Sequence, residues 1–142
     1  MRNYDVEQET RVWDRVMGGT PPAIPADALT ALDGRLRGMS RMYAQLSRRQ
    51  PRLRSMARQS SRDADRLGAM VFLLTGRRPP REKPKPQRVG RLPDALRRQY
   101  REERSVARDC EAYAQRGGEF ADDLREIARH ANSRARELMR LL

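Results

Sequence analysis

Apolar residues recur at alternating steps of three and four along four separate stretches of this chain. Leu29, Leu32, Leu36, Met39, Tyr43 and Leu46 form the first. Leu53, Met56, Ser60, Asp63, Leu67, Met70 and Leu74 continue the same steps in the second. Leu96, Tyr100, Glu103, Ala107, Cys110 and Ala114 form the third, and Phe120, Leu124, Ile127, Ala131, Arg134, Leu138 and Leu141 the fourth. Such steps trace one seam along an α-helix, so four amphipathic helices are expected to bury four seams against one another. Composition agrees: 37% of the 142 residues are apolar, 35% are charged and only 5% are aromatic. That balance suits a helical bundle better than a sheet sandwich. The mean hydropathy of −0.95 is low enough to suggest disorder, but regular seams argue against it. No strand pattern appears, and the length suits one domain with a real core.

Glycine and proline mark the boundaries. Gly18-Gly19 and Pro21-Pro22 close a first segment, in which Val6, Trp13, Val16 and Met17 fall near one face of a short helix over about Asp5 to Met17. Residues 1–22 are therefore read as an N-terminal helix and linker, with Trp13 a packing residue, and residues 23–142 as the bundle. Pro51 marks a turn between the first two long helices, and Gly117-Gly118 a turn between the last two. Short links of this kind make antiparallel hairpins, expected over 26–76 and 94–142. Between them, residues 77–93 (RRPPREKPKPQRVGRLP) hold too many prolines to continue a helix. One long crossover between two hairpins is the ferritin-like arrangement of an all-α four-helix bundle.

Several chemistries are excluded. Cys110 is the only cysteine, so neither an intrachain disulfide nor a cysteine-based zinc site can form. No apolar run reaches the roughly 18 residues of a membrane span. MRNYDVEQET is too polar and acidic for a signal peptide, so a cytoplasmic location is expected. Gly117-Gly118 lacks the Lys-Ser/Thr partner and preceding strand of a phosphate-binding loop. His130, the sole histidine, stands beside Arg129 one position off the seam, with no nucleophile placed near it.

The seam itself is not wholly apolar. Ser60, Asp63, Glu103 and Arg134 interrupt it, and a polar residue in a bundle seam is costly unless paired. Counted outward from the two turns, Leu36, Ser60, Asp63, Glu103, Ala131 and Arg134 fall at similar depths. Side-by-side hairpins put all six in one middle layer, where di-iron carboxylate bundles hold their metals. Ser60 with Asp63, and Ala131 with Arg134, have the i, i+3 spacing of a Glu-x-x-His pair. The guanidinium fork of Arg134 is expected to pair with Glu103, Asp63 or both, forming an internal charge cluster.

Four stretches carry a family resemblance: EQETRVWDRVMGG, SRDADRLGAMVFLLTGRRPP, YREERSVARDCEAYA and IARHANSRARELMRLL. Together they resemble the rubrerythrin-like branch of the ferritin-like superfamily, over nearly the whole chain. The resemblance implies a di-iron site with a Glu on helices one and three and a Glu-x-x-His on helices two and four. The implied ligands fall on Leu36, on Ser60 and Asp63, on Glu103, and on Ala131 and Arg134. Only Glu103 is retained, and only Glu103 and Asp63 could bind a hard cation. Two carboxylates do not make a di-iron site, and one cysteine cannot make a rubredoxin-type iron site.

The net charge is +12, and Lys83 and Lys85 are the only lysines. Arg35, Arg37, Arg41, Arg48, Arg49, Arg52, Arg54, Arg58 and Arg62 form a stretch without an acid, and residues 77–91 add five arginines and two lysines against one glutamate. This is either the solvated surface of an arginine-rich composition or a face for an acidic protein or nucleic acid. Tyr43 lies on the seam, so aromatic residues for base stacking are not interleaved with the arginines. The expectation is a noncatalytic interaction or structural module without a cofactor, a homodimer being one candidate assembly. The alternatives are a residual oxidoreductase with iron or manganese at Glu103 and Asp63, and a nonspecific nucleic-acid binder.

Overall fold

A computed structural model describes residues 24–81, 83, 85 and 87–142. The expected N-terminal helix, with Trp13, lies outside the described residues. Four helices occur among the described residues: α1 (Ala26–Leu46), α2 (Leu53–Thr75), α3 (Leu92–Gln115) and α4 (Ala121–Leu141). No strand occurs among the described residues.

Local chemistry places the helix ends. Pro25, in extended conformation, precedes α1, and Asp27 sits in its first turn, where the helix dipole favours an acid. α2 stops at Gly76, whose φ of 76° places it in the left-handed region while its N–H bonds the Phe72 carbonyl. Pro93 and Asp94 occupy the first turn of α3, where a missing N–H costs nothing. Gly117 and Gly118, with φ of 80° and 90°, reverse the chain before α4. No side chain caps the N-terminus of any of the four helices. Their stability must therefore come from the faces they bury.

Those faces are the seams. Leu29, Leu36, Leu46, Leu53, Leu67, Leu124, Ile127 and Leu138 have no exposed surface. Burying each contributes about 1.5–3 kcal/mol. The third seam is shifted at one position: Gln99 is buried, whereas Tyr100 is half-buried with its ring against the core. Leu74 and Leu141, at helix ends, are likewise only half-buried.

The helices approach closely as two pairs, α1 with α2 and α3 with α4. In the first pair Ser40 Oγ donates to the Ala57 carbonyl and Arg37 reaches Asp65. In the second Arg104 bonds Asn132 and Arg134 bonds Glu103. Between the pairs, backbones meet closely at few points, and long side chains span the gap. Tyr43 joins α1 to α3, and Arg134 joins α4 to α2.

Gly38 lies inside α1, and a Cβ built there meets nothing within 4 Å. Glycine within a helix costs about 0.5–1 kcal/mol relative to alanine. Gly38→Ala is expected to raise stability by about that amount, read as a higher urea midpoint with unchanged slope. An unchanged or lower midpoint would show a packing demand at Gly38 that this geometry lacks.

Candidate functional site

The seam's charged residues meet at one point. Arg134, on α4, donates from Nε to Glu103 Oε2 at 2.6 Å and from Nη2 to Glu103 Oε1 at 3.0 Å. That is a bidentate fork onto a carboxylate with no exposed surface. Arg134 Nη1 donates to Asp63 Oδ2 at 3.1 Å and to Gln59 Oε1 at 2.8 Å, both on α2. One guanidinium thus ties α4 to both α3 and α2. On the far side of Glu103, Tyr43 of α1 donates its hydroxyl to Oε2 at 2.5 Å.

Three groups in this network, Tyr43, His130 and Gln59, are not expected from the seam. Tyr43 stands as an apolar seam residue in the sequence, yet its hydroxyl is the α1 contribution to the cluster. His130 is another. Its Nδ1 lies 2.9 Å from Asp63 Oδ1, the geometry of a ring N–H donated to a carboxylate, and its Nε2 lies 3.7 Å from Glu126. His130 precedes Arg134 by four residues and shares its helix face. Gln59 stands in the same relation to Asp63, and Gln99 to Glu103. Each charged seam residue therefore has a polar companion one turn earlier, and that spacing was the available signal.

The other expected positions take no part in the ionic network. Leu36 and Ala131 are fully buried members of the apolar core. Ser60 is fully buried too, and its hydroxyl has no hydrogen-bond partner.

Burial and pairing act against each other here. Burial pushes the Glu103 carboxyl above the usual carboxylate range, while the Arg134 guanidinium and the Tyr43 hydroxyl favour its anion. Desolvation works against the Arg134 charge, but Glu103 and Asp63 outweigh it and raise its pKa. Burial, with the adjacent Glu103 charge, holds the Tyr43 hydroxyl well above its ordinary value. Burial also pushes the Cys110 thiol up to about 12, so it is a core residue and not a nucleophile.

The nine arginines of the acid-free stretch divide into three groups. Arg35 is clamped across to α3 by Glu102 at 2.8 Å, Ser105 at 2.7 Å and Asp109 at 2.6 Å. Arg37 is held by Asp33 and Asp65, each at 3.0 Å. Both are structural ties. Arg49 donates to the Gly90 carbonyl. Arg41, Arg48, Arg52, Arg54, Arg58 and Arg62 are exposed and have no carboxylate partner among the described residues.

Among the described residues, fold and site define an all-helical protein with an ion cluster among its helices. Among the described residues no three His, Cys, Asp or Glu side chains are grouped so as to hold a metal ion. No described helix is long and apolar enough to cross a membrane. Models of protein families, curated proteins and solved structures yield no match to this chain.

Arg134→Met is expected to destabilise the protein by about 3–5 kcal/mol, because it takes the guanidinium away from two buried carboxylates. Arg134→Lys, which keeps the charge but loses the fork, should cost less. Equal urea midpoints for Arg134→Met and the parent would show that the cluster carries no stability. The alkaline limb gives a second check. Cys110 and Tyr43 have pKa values raised by folding, so their contribution is complete below the ordinary thiol value of 9.0. It is lost as the pH climbs toward about 12, where the buried thiol titrates. The urea midpoint should fall over that interval, and Cys110→Ala should flatten part of the fall. A midpoint rising over the interval would reverse the sign of this linkage.

Proposed function

We propose that this chain is an antiparallel, ferritin-like four-helix bundle in which a guanidinium stands where the rubrerythrin-like branch holds iron, and that it serves as a noncatalytic structural or interaction module. The architecture is supported by side-chain pairings whose numbers fall on one helix as they rise on its neighbour: 40 with 57 and 37 with 65, 104 with 132 and 103 with 134. Between the pairs, 59 with 134, 63 with 130 and 66 with 123 run the same way. These pairings fit two hairpins joined by one crossover after Gly76. The proposal includes the cytoplasmic location expected from the sequence.

The observation that carries the reading is the position of Arg134 between Glu103 and Asp63. A buried carboxylate pair needs positive charge nearby, whether from metal ions or from an arginine. The residues present do not fit a di-iron centre. Leu36 and Ala131 have no donor atom, and Arg134 is itself a cation that takes up both oxygens of Glu103. The cluster offers no free carboxylate to accept a substrate proton, and no activated nucleophile. Self-association is part of the proposal, supported by the exposed Phe72, Leu73, Met139 and Leu142 near the helix ends. A single monomeric species throughout a sedimentation-velocity dilution series would remove that part.

Elemental analysis of protein purified without chelator, then exposed to ferrous or manganous ion and desalted, tests the central reading. Substoichiometric iron and manganese are expected. One or more tightly held ions per chain, lost on Glu103→Gln, would overturn it in favour of a residual metalloprotein.

A further inference from the structure

A groove of about 860 Å³ runs along the outer face of α1. Thr30, Ala31, Gly34 and the buried Asp33 line it on α1, Ser61 on α2, and Arg41, Arg81 and Lys83 stand along it. We propose that this groove, with the arginines beside it, seats the sugar–phosphate backbone of a double-stranded nucleic acid, read without sequence preference.

The charge of the molecule is strongly localised. Residues 26–76 hold ten arginines and four aspartates, and residues 77–93 add seven basic residues and one acid. Residues 94–142 hold eleven arginines against ten carboxylates. Nearly all the positive excess therefore lies on α1, α2 and the segment after them. Within that region the deep aspartates are committed: Asp33 to Arg37, and Asp63 to Arg134 and His130. Arg81 acts on Asp33 only at longer range. Arg41, Arg81 and Lys83 have no ion-pair partner among the described residues. On α3 and α4, by contrast, Arg97, Arg125 and Arg140 each bond an acid three residues earlier on the same helix.

The shape of the groove selects among polyanions. Ala31 and Gly34 are small and exposed along it, and a Cβ added at Gly34 meets nothing within 4 Å. A backbone can approach α1 closely there, and the hydroxyls of Thr30 and Ser61 can donate to phosphate oxygens. Its lining holds no large apolar side chain to grip those of an acidic peptide. Phe72 and Leu73, the exposed apolar pair on α2, sit in its last turn, where Arg78 lies 5.5 Å from the Phe72 ring. Tyr43 is buried, so no aromatic ring on α1 is offered to unstacked bases, which favours a duplex over a single strand. The groove lining on α1 runs from Thr30 to Arg41, about 16 Å of helix and the axial span of about five phosphates on one strand.

The test titrates the full chain into a fluorescently labelled 24-base-pair duplex of random sequence across about 50–200 mM salt, a range over which phosphate contacts reveal themselves. A groove variant carries Arg41→Gln, Arg81→Gln and Lys83→Gln. A control variant carries Arg97→Gln, Arg125→Gln and Arg140→Gln, removing equal charge elsewhere. All six positions are exposed, and thermal melts verify that both variants remain folded. Losing three phosphate contacts should reduce the slope of log affinity against log salt by about 2.7 in the groove variant. The control slope should match the parent. Equal slopes for the two variants, or no duplex binding at the lowest salt, would overturn the proposal. So would polyglutamate or anionic vesicles binding as tightly as the duplex, which would assign the surface to an acidic protein or a lipid.

Discussion

Glu103 has no exposed surface, and a carboxylate taken from water is tolerable only if its charge is answered where it sits. Arg134 answers it with two N–H donors and Tyr43 with a hydroxyl. Because these partners come from α4 and α1, the requirement of one side chain on α3 fixes three helices around it. The same guanidinium reaches Asp63, which brings in α2. The apolar seams supply most of the burial energy, but oil-like faces can slide past one another. The ionic centre cannot slide without leaving a charge unpaired, so it specifies register.

The two helix pairs divide the labour. Within a pair, close backbone approach allows small and branched residues to interlock. Between pairs the wider gap is bridged by long polar side chains: Tyr43 and Arg134 inside, Arg35 and Arg66 nearer the surface. A cluster built this way leaves the outer face of α1 free of structural duty beyond Arg35 and Arg37. That freedom lets the helix carry Gly34 and Gly38, and Arg41, which has no acid partner among the described residues.

Much of the architecture was legible in the chain before folding. The 3–4 steps of the four stretches, the Pro and Gly punctuation, and the polar exceptions at Ser60, Asp63, Glu103 and Arg134 all follow from local chemistry and helical periodicity. Their limits were physical. Tyr43 reads as apolar by its position, because a ring can pack in the core while its hydroxyl reaches across to another helix. His130 reads as off the seam, because a seam ignores how far an imidazole extends sideways. Tyr100 reads as a seam position, but Gln99 is buried there and Tyr100 only packs its ring against the core.

The sequence by itself determined that four helices form, where they stop, and that charged residues would be buried among them. Those outcomes depend on neighbours within a turn or two. Which helix supplies each partner was decided only by tertiary structure. Arg134 has Glu103 and Asp63 as partners 31 and 71 residues away, and only packing brings such separations to hydrogen-bond distance. Packing likewise decided that Arg35 is a tie while Arg41, six residues on, has no acid partner among the described residues.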